Sequence, residues 1–524
     1  MKTVAITGAS GSMGSQTLYH IMQSPMNFKS MVVLRDKPRN RRLAFELKKR
    51  YGGRVEIVMG DISDDKVCAY LAEKADYILH CSAIIPPNSD HDPEGAKKSN
   101  YFGTVRLVDA IKASGRADNI KFVNVATVAL YGNRSYKHPW ARVGDPLIPS
   151  SYDYYAATKL MAERYVLDAE LPCFISLRQT AILHHNLFIN NMKDGLMFHT
   201  CWNTPLEWVT ASDSGILMRH LVEYDTDGTL PKEFWNKCYN IGGGAGCRCT
   251  GFETFDAGFK LMGASVKDFI KPNWHVIRNF HGTWFYDSDV LENYLHFQNE
   301  SNEDFWKQMA RLNWYYKLGV VVPKPLLSKL AIQRLFNNTN APKYWLKNKH
   351  EGRIKAFYGS IEKYEQIGED WSKFPLLCEG KTPCGDIDYE ELKNPALVKE
   401  KGLLLDHGYD ETKPDCELDI NDMKQAAAFR GGKCVSNTMV KGDLYTKLVW
   451  ECHDGHRFEA SPYTILKAGH WCPKCCLPPP WRWGELAKHI PFFAQVYYDD
   501  FDACEIDVFP LKEGEDDFLI SKNI

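Results

Sequence analysis

Tyr155 and Lys159 stand four positions apart in Tyr155-Ala156-Ala157-Thr158-Lys159. On a helix that spacing puts both side chains on one face. A free phenol titrates near pH ~10, too high for easy proton exchange at neutral pH. A neighbouring ammonium favours the phenolate and brings the phenol into range for general acid–base work. A second group of reactive types lies near the other end of the chain. Cys452-His453-Asp454-Gly455-His456 precedes Trp471-Cys472-Pro473-Lys474-Cys475. The Cys-x3-His and Cys-x2-Cys pairs offer Cys452, His456, Cys472 and Cys475 as four soft ligands for a tetrahedral Zn²⁺. With all four positions filled by protein, such a zinc is structural rather than catalytic. Cys434 or Cys476 could stand in for one ligand, and a redox Cys-x-x-Cys pair is the rival reading.

Elements must hold these groups in place. From residue 1 to about 180, strand-like and helix-like segments alternate. Strands are predicted at Thr3–Thr7, Met31–Leu34, Val55–Met59, Tyr77–His80, Phe122–Val125 and Phe174–Leu177. Helical patterns fall between them at Gly14–Met22, Arg42–Lys49 and Tyr101–Lys112. The alternation predicts an α/β fold, a doubly wound parallel sheet of Rossmann type. A smaller, irregular and aromatic substrate region follows from about 180, completing a unit over 1–300. Residues 301–420 read as a mainly helical extension and linker, with Phe305, Met309, Leu312 and Tyr316 as core and a charged linker near 405–422. Residues 421–480 read as the zinc-ribbon-like module. Pro478-Pro479-Pro480 then introduces an acidic, solvated tail over 481–524 (Asp499, Asp500, Asp502, Glu513, Glu515, Asp516, Asp517).

The chain of 524 residues is 44% hydrophobic and 25% charged, ordinary values for globular protein. A net charge of −2 gives no global pull toward nucleic acid or an anionic membrane. No apolar run is long enough to span a bilayer, and MKTVAITGAS reads as a first strand rather than a leader. Sixteen mostly scattered cysteines fit a reducing, cytoplasmic setting.

Thr7-Gly8-Ala9-Ser10-Gly11-Ser12-Met13-Gly14 follows the first strand and opens a helix. Glycines there permit a tight turn and close approach of a pyrophosphate, and the helix N-terminus offers free N–H groups to its charge. Gly8, Ser10, Gly11, Ser12, Met13 and Gly14 are therefore the predicted dinucleotide loop. Asp61 and Ile62, after the third strand, could meet the adenine. The second strand ends Val33-Leu34-Arg35-Asp36-Lys37. An acid at that end would bind the ribose 2′-OH of NAD, whereas an Arg accommodates the 2′-phosphate of NADP. Arg35, with Lys37 behind it, favours NADP(H), while Asp36 keeps NAD open.

The chain resembles the extended short-chain dehydrogenase/reductase family, which includes the NAD(P)-dependent epimerase/dehydratase proteins. The resemblance covers roughly residues 1–250 and rests on TGASGSMG (7–14), GDISD (60–64), HCSA (80–83), NYFGT (100–104), VATVALYG (125–132), YAATK (155–159) and YNIGGG (239–244). It implies that Tyr155 is the general acid in reduction or base in oxidation. It implies that Thr127 holds the substrate oxygen, and that Lys159 binds the nicotinamide ribose and lowers the Tyr155 pKa. Asn100 stands where family members keep an Asn near the proton relay, and Ser82 and Ala83 fall beside the cofactor. The C-terminal pattern is similar to zinc-ribbon or treble-clef modules through Trp450, Gly455, His456, Gly469, Trp471 and Pro473. Family members are often dimers, which implies a homodimer.

Two departures bear on substrate. Nucleotide-sugar members often carry a basic residue leading into R-x-x-V-x-x-D; here the stretch is Pro205-Leu206-Glu207-Trp208-Val209-Thr210-Ala211-Ser212-Asp213. Where many members read R…GP, Arg178 is followed by Ala181-Ile182-Leu183-His184-His185. Both count against a diphosphate clamp, so the sequence predicts an NADP(H)-preferring oxidoreductase of a small carbonyl or alcohol that is not a nucleotide sugar. An NAD-dependent epimerase/dehydratase acting on a sugar-like substrate is the alternative. A nucleotide-sensing regulator, whose zinc module is the one place nucleic acid could attach, is the reading from another class. Retention of Tyr155 and Lys159 disfavours it.

Overall fold

A computed structural model describes residues 1–313, 316, 323–477 and 481–503. Its centre is a seven-stranded parallel sheet. The strands are β1 (Thr3–Thr7), β2 (Lys29–Leu34), β3 (Val55–Met59), β4 (Tyr77–His80), β5 (Lys121–Thr127), β6 (Phe174–Gln179) and β7 (Lys237–Ile241), in spatial order 7-6-5-4-1-2-3. The order reverses between β1 and β4, and ligands of open α/β sheets bind at such a switch point. The first six strands lie where the sequence predicts them. β7 was not predicted as a strand, because it returns to the sheet after a long irregular excursion.

Continuous apolar runs make these strands, as burial on both faces requires. Successive side chains alternate between two cores. Ala5, Met31, Val33, Ile78 and Phe122 enter one, while Val4, Ile6, Val32, Leu79 and Val123 enter the other. The helices that flank the site are α1 (Ser12–Met22), α2 (Pro38–Tyr51), α3 (Asp65–Lys74), α4 (Gly103–Ala113), α5 (Tyr154–Asp168) and α6 (Ala211–Asp227). α1 buries Leu18, Ile21 and Met22 against the sheet. It meets α6 closely: a Cβ on Gly215 would stand 2.7 Å from the Gln16 backbone.

The later residues pack on this frame. α7 (Asn302–Leu312) buries Phe305 and Met309, but Leu312 is 56% exposed and not core. Tyr316 packs, partly buried, beside Phe305 and Met309. α8 (Glu351–Tyr358) belongs to an aromatic cluster with Tyr152 and Trp345. The stretch read as a charged linker is largely anchored, since Leu405, His407, Tyr409 and Leu418 are all buried. His407 Nε2 lies 2.8 Å from the buried Asp145 Oδ1, which ties this stretch to the sheet domain. After α9 (Ile420–Phe429), the cysteine-rich module forms a small antiparallel sheet of β8 (Lys433–Cys434), β9 (Leu448–Glu451) and β10 (Arg457–Ala460).

Residues 481–503 are not a solvated tail. α10 (Pro491–Asp500) buries Phe492 and Phe493 beside Trp483. The acids at its end have partners: Asp500 Oδ2 accepts from Asn133 Nδ2 at 2.5 Å, and Asp499 Oδ2 lies 2.8 Å from His138 Nδ1. Apolar residues interleaved with the acids decide this, because they give the segment a face to bury. Pro478 to Pro480 and the acids from Glu513 onward lie outside the described residues. Among the described residues, no helix is long and apolar enough to cross a membrane.

Candidate active site

A cavity of about 470 Å³ opens at the carboxyl ends of β1, β4, β5 and β6. Its floor is the glycine turn. Gly8 has φ +71° and its missing Cβ would lie 2.8 Å from the Cys81 carbonyl, so only glycine fits there. A Cβ on Gly14 would stand 2.4 Å from Gly8 O, so the helix start can press against the loop only without a side chain. The α1 N-terminus has no side-chain cap and no acid in its first turn. Its N–H groups are thus available to an anion. Gly8, Ser10, Gly11, Ser12, Met13, Gly14, Asp61, Ile62, Ser82 and Ala83 all line the cavity, as the sequence predicts for a dinucleotide.

The β2 end sorts its charges. Arg35 lines the cavity, with Nε 3.9 Å from Asp61 Oδ2. Asp36 turns aside and makes a two-point contact with Arg41 at 2.5 and 2.8 Å. Lys37 precedes α2 as its exposed N-cap residue and does not line the cavity. Asp61 Oδ1 accepts from the Ser63 N–H at 2.9 Å, leaving its other oxygen toward Arg35.

Thr127 ends β5, and its hydroxyl accepts from the Ala129 N–H at 3.2 Å. Tyr155 lies in the first turn of α5, whose start is fixed by Asp153 capping the Ala156 N–H at 2.9 Å. Tyr155 and Thr127 share a hydrogen bond and both line the cavity. Burial pushes the Tyr155 phenol up to about 12, opposed by that bond and reinforced by the Asp153 charge. Burial pushes Lys159 down to about 8, with Glu163 and Cys81 opposing. Its Nζ is buried without a hydrogen-bond partner among the described residues. Lys159 does not itself line the cavity; its charge acts on Cys81, which does. An orphaned ammonium behind that wall is of the type that binds ribose hydroxyls.

Asn100 is placed differently from its expected relay role. It is fully buried and does not line the cavity. Its Oδ1 accepts from the Ile84 N–H at 2.7 Å, and its Nδ2 donates to Ile84 O at 2.9 Å and Thr158 Oγ1 at 3.1 Å. It pins the loop after β4 to α5 next to Lys159.

The remaining walls, His184 among them, were not assigned to the site from the sequence. Ile85 and Pro86 come from the loop after β4, Thr180 to Ile182 from beyond β6, and Phe280 and His281 from a distant loop. Only the last pair lacked any sequence signal, because its approach depends on tertiary packing. Of the aromatic residues in the region after 180, Trp202, Trp208, Trp274 and Trp284 are buried and absent from the cavity wall, whereas Phe280 lines it.

Residues 4–178 match the model of the NAD dependent epimerase/dehydratase family. That segment, about a third of the chain, is similar to an NAD-dependent epimerase/dehydratase domain. A dTDP-glucose 4,6-dehydratase of Mycolicibacterium smegmatis is 32% identical over 116 residues, 22% of this chain and 33% of that protein. The chain thus spans about a third of the length of the curated relative it matches. Two solved structures have similar folds. The dTDP-glucose 4,6-dehydratase of Bacillus anthracis in complex with NAD has a TM-score of 0.47 at 19% identity, covering 60% of this chain and 97% of that one. The UDP-Glc/GlcNAc 4-epimerase of Campylobacter jejuni gives 0.46 at 18%, covering 60% and 99%.

Beyond residue 178, outside the family-matched segment, the chain buries an acid in the stretch where the resemblance implied a basic residue in nucleotide-sugar members. Glu207 is 1% exposed, pairs with Arg248 at 2.9 Å and accepts from Ser288 Oγ at 2.7 Å. Arg178 also lies away from the cavity, 2.7 Å from Glu163 on α5.

Glu163 joins the family-matched segment to the cysteine module. It also lies 3.0 Å from His470 Nε2, and the neighbouring Arg164 donates to the Trp471 carbonyl at 2.7 Å. Immediately after Trp471 comes the ligand cluster. Cys452 Sγ and Cys475 Sγ are 3.7 Å apart; His456 Nδ1 lies 3.5, 3.8 and 3.3 Å from Cys452, Cys472 and Cys475. A tetrahedron with Zn–S bonds of ~2.3 Å has edges of about 3.8 Å. The four predicted ligands form this group, and Cys434 and Cys476 are outside it.

Proposed function

We propose that this chain transfers hydride between a nicotinamide dinucleotide, NADP(H) by preference, and a carbonyl or alcohol carbon of a small substrate. The observation that carries the reading is the convergence of Tyr155 and Thr127 on the cavity floored by the glycine turn, with Lys159 buried and without a hydrogen bond one helical turn beyond Tyr155. When bound, the nicotinamide supplies or accepts the hydride. In the reducing direction, Tyr155 donates its proton to the carbonyl oxygen as negative charge develops there. Thr127 donates a second hydrogen bond to that oxygen. Lys159 holds the nicotinamide ribose, and Asn100 positions the α5 turn that carries Lys159. A phenol that starts high holds its proton firmly, which suits the acid role in reduction.

Arg35 at the cavity and the engagement of Asp36 by Arg41 support NADP. The engaged Glu207 supports a substrate without a diphosphate. The likeness to a protein named dTDP-glucose 4,6-dehydratase favours a second reading, a sugar-like substrate processed with a retained NAD. Incubating the protein with NADPH or NADH and a carbonyl panel separates them. Net oxidation of NADPH supports the first reading; tightly bound NAD without net turnover supports the second.

The cysteine cluster we assign to a structural zinc, with the module serving to brace α5. The absence of disulfides among the described cysteines supports a cytoplasmic setting. We propose a homodimer as the assembled form.

A further inference from the structure

The main cavity has an annex. A small chamber of about 20 Å³ shares Pro86, Leu196, Phe280 and His281 with it and ends at Arg353. Arg353 lies on α8, far outside the family-matched residues 4–178. Its guanidinium is held between two rings, 4.8 Å from the Tyr152 centroid and 5.4 Å from that of Trp345. Among the described residues it has no ion-pair partner. A half-buried arginine normally finds a carboxylate.

Another group in the annex is also unmatched. Ser150 Oγ is buried without a hydrogen-bond partner among the described residues. Asp153 is already engaged: its Oδ1 caps α5 and its Oδ2 lies 3.6 Å from His281 Nδ1. Tyr152, which stacks on Arg353, has φ +65°, a conformation costly for a side chain of that size. Asp90 is the one further acid of the wall. Burial pushes its carboxyl up to about 8, helped by the Asp153 charge and opposed by Arg353, which weakens its claim on the arginine.

We propose that the annex is a substrate subsite that receives a carboxylate, with Arg353 as the specificity-determining residue. This deepens the hydride-transfer reading and rests on it. A guanidinium offers paired N–H donors that match a carboxylate. The chamber holds about one or two waters' worth of space, enough for a carboxylate and too little for a nucleotide diphosphate. The extension beyond the sheet domain thereby gains a role at the site.

The test uses the full-length, NADPH-loaded protein and a series of ω-aldehyde carboxylates of increasing chain length, each beside its methyl ester. Binding is read from nicotinamide fluorescence and turnover from NADPH oxidation. The wild-type protein is expected to favour the acid over its ester by about tenfold or more at the best chain length. Arg353→Gln is expected to abolish that preference while leaving NADPH affinity and ester turnover unchanged. Arg353→Lys, which keeps the charge and the stacked stem, is expected to restore part of it and controls for loss of folding. Equal binding of acid and ester, or preference unchanged in Arg353→Gln, overturns the subsite with hydride transfer intact. Failure of the wild-type protein to bind NADPH overturns the reading beneath it.

Discussion

His470 Nε2 lies 3.0 Å from Glu163 Oε1, with both side chains almost wholly withdrawn from water. Glu163 is one helical turn beyond Lys159 on α5, and His470 is two residues before the ligand Cys472. The pair therefore links the cysteine module to the helix that carries Tyr155. Arg178 on β6 completes the junction, and its charge and that of His470 hold the Glu163 carboxyl well below the usual range against the opposing effect of burial. Glu163→Gln would leave Arg178 buried without its counter-charge, at a cost of about 3–5 kcal/mol. A fall in thermal midpoint, with Cys475→Ser as a parallel variant, checks this.

Metal analysis should find about one zinc per chain, held by Cys452, His456, Cys472 and Cys475. Removing it with a chelator should lower the thermal midpoint and reduce turnover together, because the Trp471 carbonyl and His470 would lose their fixed position against α5. Retention of full activity in the metal-free protein would separate the module from the site.

Cofactor choice should follow Arg35. Arg35→Asp is expected to weaken NADPH binding by about tenfold to a hundredfold, the range for losing a charge-assisted contact, and to improve NADH. Lys37→Ala should change the ratio little, since Lys37 lies off the cavity wall. Paired titrations with the two dinucleotides read this out.

Acid should destabilise the contact between the sheet domain and residues 405–411. Burial alone would raise Asp145, but the hydrogen bond with His407 and the charges of Arg142 and Arg134 bring it down to about 2. Its folded pKa is below the unfolded value near ~3.9, so the stabilisation is present above pH ~4 and is lost as pH falls toward 2. The size is on the order of 2 kcal/mol. Urea midpoints measured between pH 5 and 2 should fall steeply for the wild-type protein and less for Asp145→Asn.

The sheet was legible because its strands are continuous apolar runs punctuated by glycine and polar turns. The dinucleotide wall was legible because its residues are close in sequence to those strand ends. Lys37 and Asn100 were misplaced for one reason: spacing shows proximity to a site, not the direction in which a side chain points. Leu312 has helical spacing but lies at the end of α7, where the core no longer covers it. The segments at 405–422 and 481–503 have the charge content of linker and tail, yet Leu405, Leu418, Trp483 and Phe492 supply enough apolar surface to dock them. Phe280 and His281 reach the cavity, and Arg353 its annex, only through long-range packing, which no local pattern encodes.

Tyr155→Phe is expected to lower turnover by about 10²–10⁴-fold without weakening NADPH binding, because it removes one proton donor and little else. The most direct measurement is a crystal structure with NADP⁺. It should show the nicotinamide ring beside the Tyr155 and Thr127 hydroxyls, its ribose on Lys159 Nζ and the 2′-phosphate on Arg35. A nicotinamide ring in a different cavity from Tyr155 would contradict the account.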